Sequence, residues 1–222
     1  MLNEAIGDLL PSAVGVALSP VPIIAVILML ATPKARSNSL AFAVGWVAGL
    51  VVVSVVVLVV AGNADTDSTT SDTVNWFKLA LGVVLLALAA RQWRSRPAKG
   101  EQPVMPKWLQ TLDTFTPPKA LVLGAALSGV NPKNLALTIA ASGSIAQAGL
   151  SSGESAVAVV VFVVLGSLTV AGPALFNLIA PNAAAKPLAA MKDFMGDHNN
   201  VIMMVVLLIL GAKLIGNGLG GL

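Results

Sequence analysis

The residues able to do chemistry are few, and they gather at two proline-marked interruptions of apolar sequence. Asn131-Pro132-Lys133-Asn134 breaks an apolar run that begins near Ala120, and Ser19-Pro20-Val21-Pro22 breaks the run from Leu9 to Ala31. Lys133 lies roughly 20 Å along a helix from Ala120, at about 1.5 Å per residue. A cation at such depth in an apolar segment is costly and needs a partner. The available partners are a backbone carbonyl, an Asn such as Asn131, Asn134 or Asn177, or an anionic ligand. No Asp or Glu lies deep in any apolar run. That disfavours a path for Mg, Mn or Ca, which take hard oxygen ligands, and favours an anionic or zwitterionic group. Lys78 and Lys213 lie nearer the ends of their runs, where snorkelling to the interface suffices.

Other chemistries are excluded by composition. The 222 residues include no Cys and one His, His198. Disulfides, thiolate nucleophiles and Cys-ligated metals are impossible, and no His-built metal site is expected. No nucleotide-binding motif is present, so no cofactor is expected. Ser142-Gly143-Ser144 and His198 are the one pairing reminiscent of a Ser/His protease dyad. Such a dyad needs hydrogen-bond contact, whereas the topology below puts the two at opposite membrane faces. No enzymatic activity is expected, and Ser142 and Ser144 read as small packing residues.

Apolar residues make up 56% of the chain and charged residues 10%, against about 25% charged in an average soluble domain. The chain reads as an all-α polytopic membrane protein. A span needs about 20 mostly apolar residues, and six segments qualify: about 9–31, 40–62, 74–92, 120–148, 155–180 and 201–219. Val-rich runs also suit strands, but these are too long, and an open sheet edge cannot face lipid. Glu4 and Asp8 precede the first span without a basic residue, so it is expected to insert uncleaved.

Orientation follows from Lys and Arg placement. Lys34 and Arg36 follow the first span; Arg94, Arg96, Lys99, Lys107 and Lys119 surround the third connection; Lys186 and Lys192 follow the fifth span. The alternate connections hold Asp65, Asp67, Asp72 and Glu154 and no basic residue. The basic loops are therefore expected inside and both termini outside. Within the longest connection, Trp108, Leu109, Leu112 and Phe115 share a helical face. This segment reads either as an interfacial helix or as a solvated linker with a Trp anchor. Lys34, Arg36, Asp193, Asp197 and His198 all fall at the cytoplasmic face, as a helix cap or as a gate. No nucleic-acid partner is expected.

The two halves resemble one another. Gly15-Val16-Ala17-Leu18-Ser19-Pro20-Val21 aligns with Gly124-Ala125-Ala126-Leu127-Ser128-Gly129-Val130 at five of seven positions. Three spans per half turn the second half upside down, the inverted-repeat plan of many transporters, whose broken helices form the binding site. The domains are then 1–93, a cytoplasmic basic loop 94–119, and 120–222. The breaks read as a substrate path or as structural kinks. Gly45-x-x-x-Gly49 and Ala212, Gly216, Gly220 have close-approach spacing, compatible with packing inside one subunit or with a homodimer.

These residues resemble the GAP family of glycolipid-addressing (Sap-like) membrane proteins, within the lysine exporter (LysE) superfamily. The resemblance rests on Ala17 to Ile24, Thr32-Pro33-Lys34-Ala35-Arg36 with Phe42 and Gly45-Trp46, Asn131-Pro132-Lys133-Asn134, and His198-Asn199-Asn200. It implies six helices in two inverted repeats and outward movement of a glycolipid or lipid-linked envelope precursor across the cytoplasmic membrane. The residues it implies for the substrate path are Ser19, Pro20, Pro22, Asn131, Pro132, Lys133 and Asn134, to which the aligned repeat adds Ser128. Membrane lipids, an anionic lipid substrate among them, and envelope-biosynthesis proteins are the implied partners. Two alternatives stand beside it: export of a small hydrophilic solute such as an amino acid, and a non-transporting accessory subunit.

Overall fold

The computed structural model describes residues 1–62, 68–96 and 107–220, and among them the regular elements are all helices, without strands. The helices are α1 (Leu2–Ala17), α2 (Pro20–Leu30), α3 (Ala35–Gly62), α4 (Ser68–Arg94), α5 (Pro117–Gly129), α6 (Pro132–Gln147), α7 (Ser152–Ile179), α8 (Pro181–Asp197) and α9 (Asn199–Leu219). A 3-10 helix spans Lys107–Thr114. Asp65, Asp67, Lys99 and the middle of the expected basic loop lie outside the described residues.

The first and fourth expected spans are each two helices. Prolines do not kink a continuous rod here. Pro20 and Pro22 stand in the first turn of α2, and Pro132 in the first turn of α6, where a missing N–H costs no helical bond. The α1–α2 pair bends by 52°. Among the described residues α3, α7 and α9 are long and apolar enough to cross a membrane, and the bent α1–α2 pair makes a fourth candidate. The chain is an α-helical membrane protein.

Polarity is arranged for lipid. Val52, Val56, Val59 and Val60 of α3, Val160, Val164 and Leu168 of α7, and Leu208 and Ile209 of α9 are exposed. Buried polar groups point inward instead, among them Asn38, Ser54, Ser128, Asn134, Thr138 and Ser142. The centre is α2, where every residue from Pro22 to Ile27 is buried.

Two glycine seams let helices touch at the backbone. A Cβ on Gly45 would collide with the Leu121 carbonyl, and one on Gly124 with the Phe42 carbonyl. A Cβ on Gly49 would strike Ser128 Oγ and come 2.8 Å from the Ala125 carbonyl. The Gly45/Gly49 pair is thus consumed within the subunit, in the α3–α5 seam. The second seam joins α4 to α9: a Cβ on Gly82 would lie 2.9 Å from the Gly211 carbonyl, and one on Gly218 would lie 3.0 Å from that of Asn75. Ala212, Gly216 and Gly220 on α9 are exposed, so their spacing is not used for packing inside the subunit. The packed face carries Gly211 and Gly218 and lies on nearly the opposite side of the helix.

Two connections differ from expectation. The fifth connection is helix α8. It buries Ala184, Leu188 and Met195, with Met191 packed behind them, a stripe at helical spacing. In the 3-10 helix, Leu109 and Leu112 are buried in the protein core, and Trp108 and, just beyond the helix, Phe115 pack against it. That apolar face is therefore spent on the protein, mainly against α2, and not on the lipid interface.

Gly45→Leu or Gly124→Leu should force α3 and α5 apart and cost about 1–3 kcal/mol or more through overpacking. Thermal unfolding of the detergent-solubilised protein checks this; Gly216→Leu should leave the midpoint unchanged.

Candidate functional site

Breaking a helix with two alternating prolines strands particular carbonyls. The Val16 carbonyl would normally accept from residue 20 and the Leu18 carbonyl from residue 22, and both are Pro, without N–H. At membrane depth each must find another donor. Ser19 Oγ lies 2.6 Å from the Val16 carbonyl. Lys133 Nζ donates to the Leu18 carbonyl at 3.1 Å and to the Gly15 carbonyl at 2.8 Å. Thr169 Oγ1 of α7 donates to the Ala17 carbonyl at 2.6 Å. The C-terminus of α1 is thus capped by side chains from three places in the chain, and the ammonium sits at the negative end of the helix dipole.

Lys133 also donates to Ser19 Oγ at 2.7 Å. Its three N–H groups therefore have three acceptors, which is the full capacity of an ammonium. Lys133 is 4% exposed and Asn134 fully buried. Asn134 Oδ1 lies 3.1 Å from Ser19 Oγ, and its Nδ2 donates to the Leu127 carbonyl at 2.9 Å. Asn131 caps α6 by accepting from the Lys133 backbone N–H at 3.1 Å. The partners of Lys133 are thus carbonyls and a hydroxyl. Asn131 meets only its backbone, and Asn177 lies in a cavity elsewhere.

The aligned positions of the two halves behave alike. Ser19 reaches the Val16 carbonyl and Ser128 the Ala125 carbonyl, at 3.2 Å in the latter. The Leu18 and Leu127 carbonyls are taken by Lys133 and Asn134, successive residues of one turn. The structure brings Ser19, Lys133 and Asn134 together, with Pro20, Pro22 and Asn131 shaping the breaks. Ser128 is not joined to them, because it faces Gly49 in the α3–α5 seam. Pro132 is exposed. Thr169 was not foreseen; its spacing from either break carries no signal, and only packing of α7 on α1 reveals it.

The remaining candidates lie apart. Lys34, Arg36, Asp193, Asp197 and His198 are exposed. Asp193 pairs with Lys192 at 3.2 Å. His198 Nδ1 lies 2.9 Å from the Phe194 carbonyl, and its ring stacks on Phe194. Among the described residues no ion pair joins the two basic members of this group to the acidic ones. His198 forms no hydrogen bond to Ser142 or Ser144; Ser142 is buried in α6. Lys213 donates to the Asp8 carbonyl at 2.7 Å, and Lys78 to Gln147 Oε1 at 2.9 Å. Each lysine ties two helices together, Lys213 joining α9 to α1 and Lys78 joining α4 to α6, which snorkelling alone did not require.

A family model described as Sap, sulfolipid-1-addressing protein, matches residues 9–220. The chain belongs to this family. The match spans both breaks and every helix but the first turns of α1. Neither a curated protein nor a solved structure matches the chain.

Lys133→Met should strand the Gly15 and Leu18 carbonyls, at about 1–3 kcal/mol for each buried group left unpaired. A lowered unfolding midpoint checks this. Lys133→Arg should not restore it, because a planar guanidinium cannot meet three acceptors arranged round one point.

Proposed function

We propose that the chain moves an anionic lipid-linked or glycolipid envelope precursor outward across the cytoplasmic membrane. In this reading it has six spans, α1–α2, α3, α4, α5–α6, α7 and α9, in two inverted repeats on the LysE-like plan. The basic connections face the cytoplasm and both termini face out. The cargo class draws on the family description, which names a sulfolipid; a sulfate ester supplies a fixed negative head.

The observation that carries the reading is the buried contact between the two breaks, Ser19 with Lys133 and Asn134. A polar head cannot cross hydrocarbon unless polar groups replace its water. The core holds one deep ammonium and the loosened carbonyls of α1, gathered where the halves meet. While the halves are closed, α1 occupies the ammonium. When they part, Lys133 loses its carbonyls, and an anionic head replaces them as its partner. The lipid tails stay outside, along the Val-rich faces. Ser19 and Asn134 then stand where the head would pass, and Pro20, Pro22 and Pro132 supply the hinges.

The test uses the full chain in phosphatidylcholine vesicles carrying a trace of headgroup-labelled sulfatide, with surface label quenched chemically. Wild type should expose inner-leaflet label faster than protein-free vesicles. Lys133→Met and Asn134→Ala, shown by circular dichroism to keep their helicity, should each slow it by about tenfold or more, equivalent to roughly 1.4 kcal/mol in the barrier. Unaltered rates in both variants would sink the role of the breaks. A wild type no faster than empty vesicles would favour the accessory-subunit reading.

A further inference from the structure

Lys133 is buried and fully partnered, so it cannot be what first captures a head from the leaflet. A second place offers the needed chemistry. At one end of the bundle, the start of α3 and the end of α7 enclose a half-open cavity of about 160 Å³. Arg36, Ser39 and Asn177 supply its polar lining, and Leu40, Ala174 and Leu178 supply apolar walls. No acidic side chain lines it.

Arg36 is exposed and has no ion pair among the described residues. Its guanidinium offers a planar fork matched to sulfate or phosphate oxygens. Ser39 is 1% exposed, and its hydroxyl holds only a 3.4 Å contact to the Arg36 carbonyl. Asn177 adds an amide donor. The start of α3 brings the positive pole of its dipole and the end of α7 the negative pole. These offset, and the net charge of the cavity is that of Arg36. The same two helices carry exposed Val44, Leu175 and Ile179 nearby. A ligand seated here would have an anionic head beside apolar chains.

We infer that this cavity is a binding site for the sulfate or phosphate head of an anionic membrane lipid, held by Arg36, Ser39 and Asn177. It rests on the transport reading only in being its entry point; binding itself needs no transport. On the expected orientation, Arg36 faces the cytoplasmic leaflet, where an outward-bound lipid begins. The cavity has room for the charged ester, and the chains lie along α3 and α7. Lys34, two residues away, lies outside the lining and serves as the control for general surface charge.

The experiment is native mass spectrometry of the full chain released from nanodiscs of phosphatidylcholine with a minor fraction of sulfatide or phosphatidic acid. Wild type should retain an anionic lipid in preference to phosphatidylcholine. Arg36→Gln should reduce retention about tenfold, as expected for loss of a charge-assisted contact, with Lys34→Gln close to wild type. Equal retention in Arg36→Gln, or equal loss in both variants, would overturn the site. Displacement by inorganic sulfate at concentrations that leave surface charge screening unchanged would show a free-anion site and overturn the lipid assignment. The vesicle assay separates the two readings. Arg36-dependent retention without lipid movement leaves the site standing and removes transport. Lipid movement with Arg36-independent retention does the reverse.

Discussion

Hydrocarbon supplies no hydrogen bonds, so each backbone group freed inside a membrane must be satisfied by the protein itself. This constraint governs the centre of the molecule. The Ser-Pro-Val-Pro sequence removes two N–H donors at alternate positions, and the carbonyls that lose them are those of Val16 and Leu18. Ser19 answers the first and Lys133 the second. A lysine in the middle of an apolar protein is thereby explained without a carboxylate partner: helix α1 ends at its ammonium, and the broken helices of the two halves become one polar knot.

The knot also accounts for the packing around it. Thr169 reaches the Ala17 carbonyl, so α7 must lie against α1. The Trp46 indole N–H donates to the Gly166 carbonyl at 3.3 Å, which fixes α3 on α7. Gly45, Gly49 and Gly124 then bring α3 onto α5 at backbone contact. In lipid, close backbone approach replaces the missing hydrophobic drive between helices. The Val-rich outer faces carry no such devices and need none.

Much of this was legible in the sequence, for stated reasons. Long uncharged runs marked where helices lie, because span length and hydropathy are set by bilayer thickness. The runs at 9–31 and 120–148 are each a pair of helices, however, and α1, α3 and α4 begin well before their apolar runs do. The prolines marked both breaks, and the aligned heptapeptides marked their equivalence. The partner of Lys133 was not legible, because its acceptors are backbone carbonyls more than a hundred residues away. Helix α8 was missed although its signal was present. Pro181 reads as a breaker but stands in the first turn, and Ala184, Leu188, Met191 and Met195 recur at helical spacing. On α9 the glycines packed within the subunit are Gly211 and Gly218 rather than the Ala212, Gly216, Gly220 series, because the spacing of small residues does not say which face meets a neighbour. The Arg36 cavity depends on α3 and α7 meeting, which no local pattern announces.

The central claim is that Ser19 and Lys133 act as one unit joining the two broken helices. A double-mutant cycle of Ser19→Ala and Lys133→Met, read as unfolding free energy in a bilayer mimic, tests it most directly. Side-chain hydrogen bonds between membrane helices average about 0.6 kcal/mol and reach about 1.7. A direct ammonium–hydroxyl contact within a shared network should couple the two at the upper part of that range, about 1 kcal/mol or more. Strict additivity of the two losses would contradict the account.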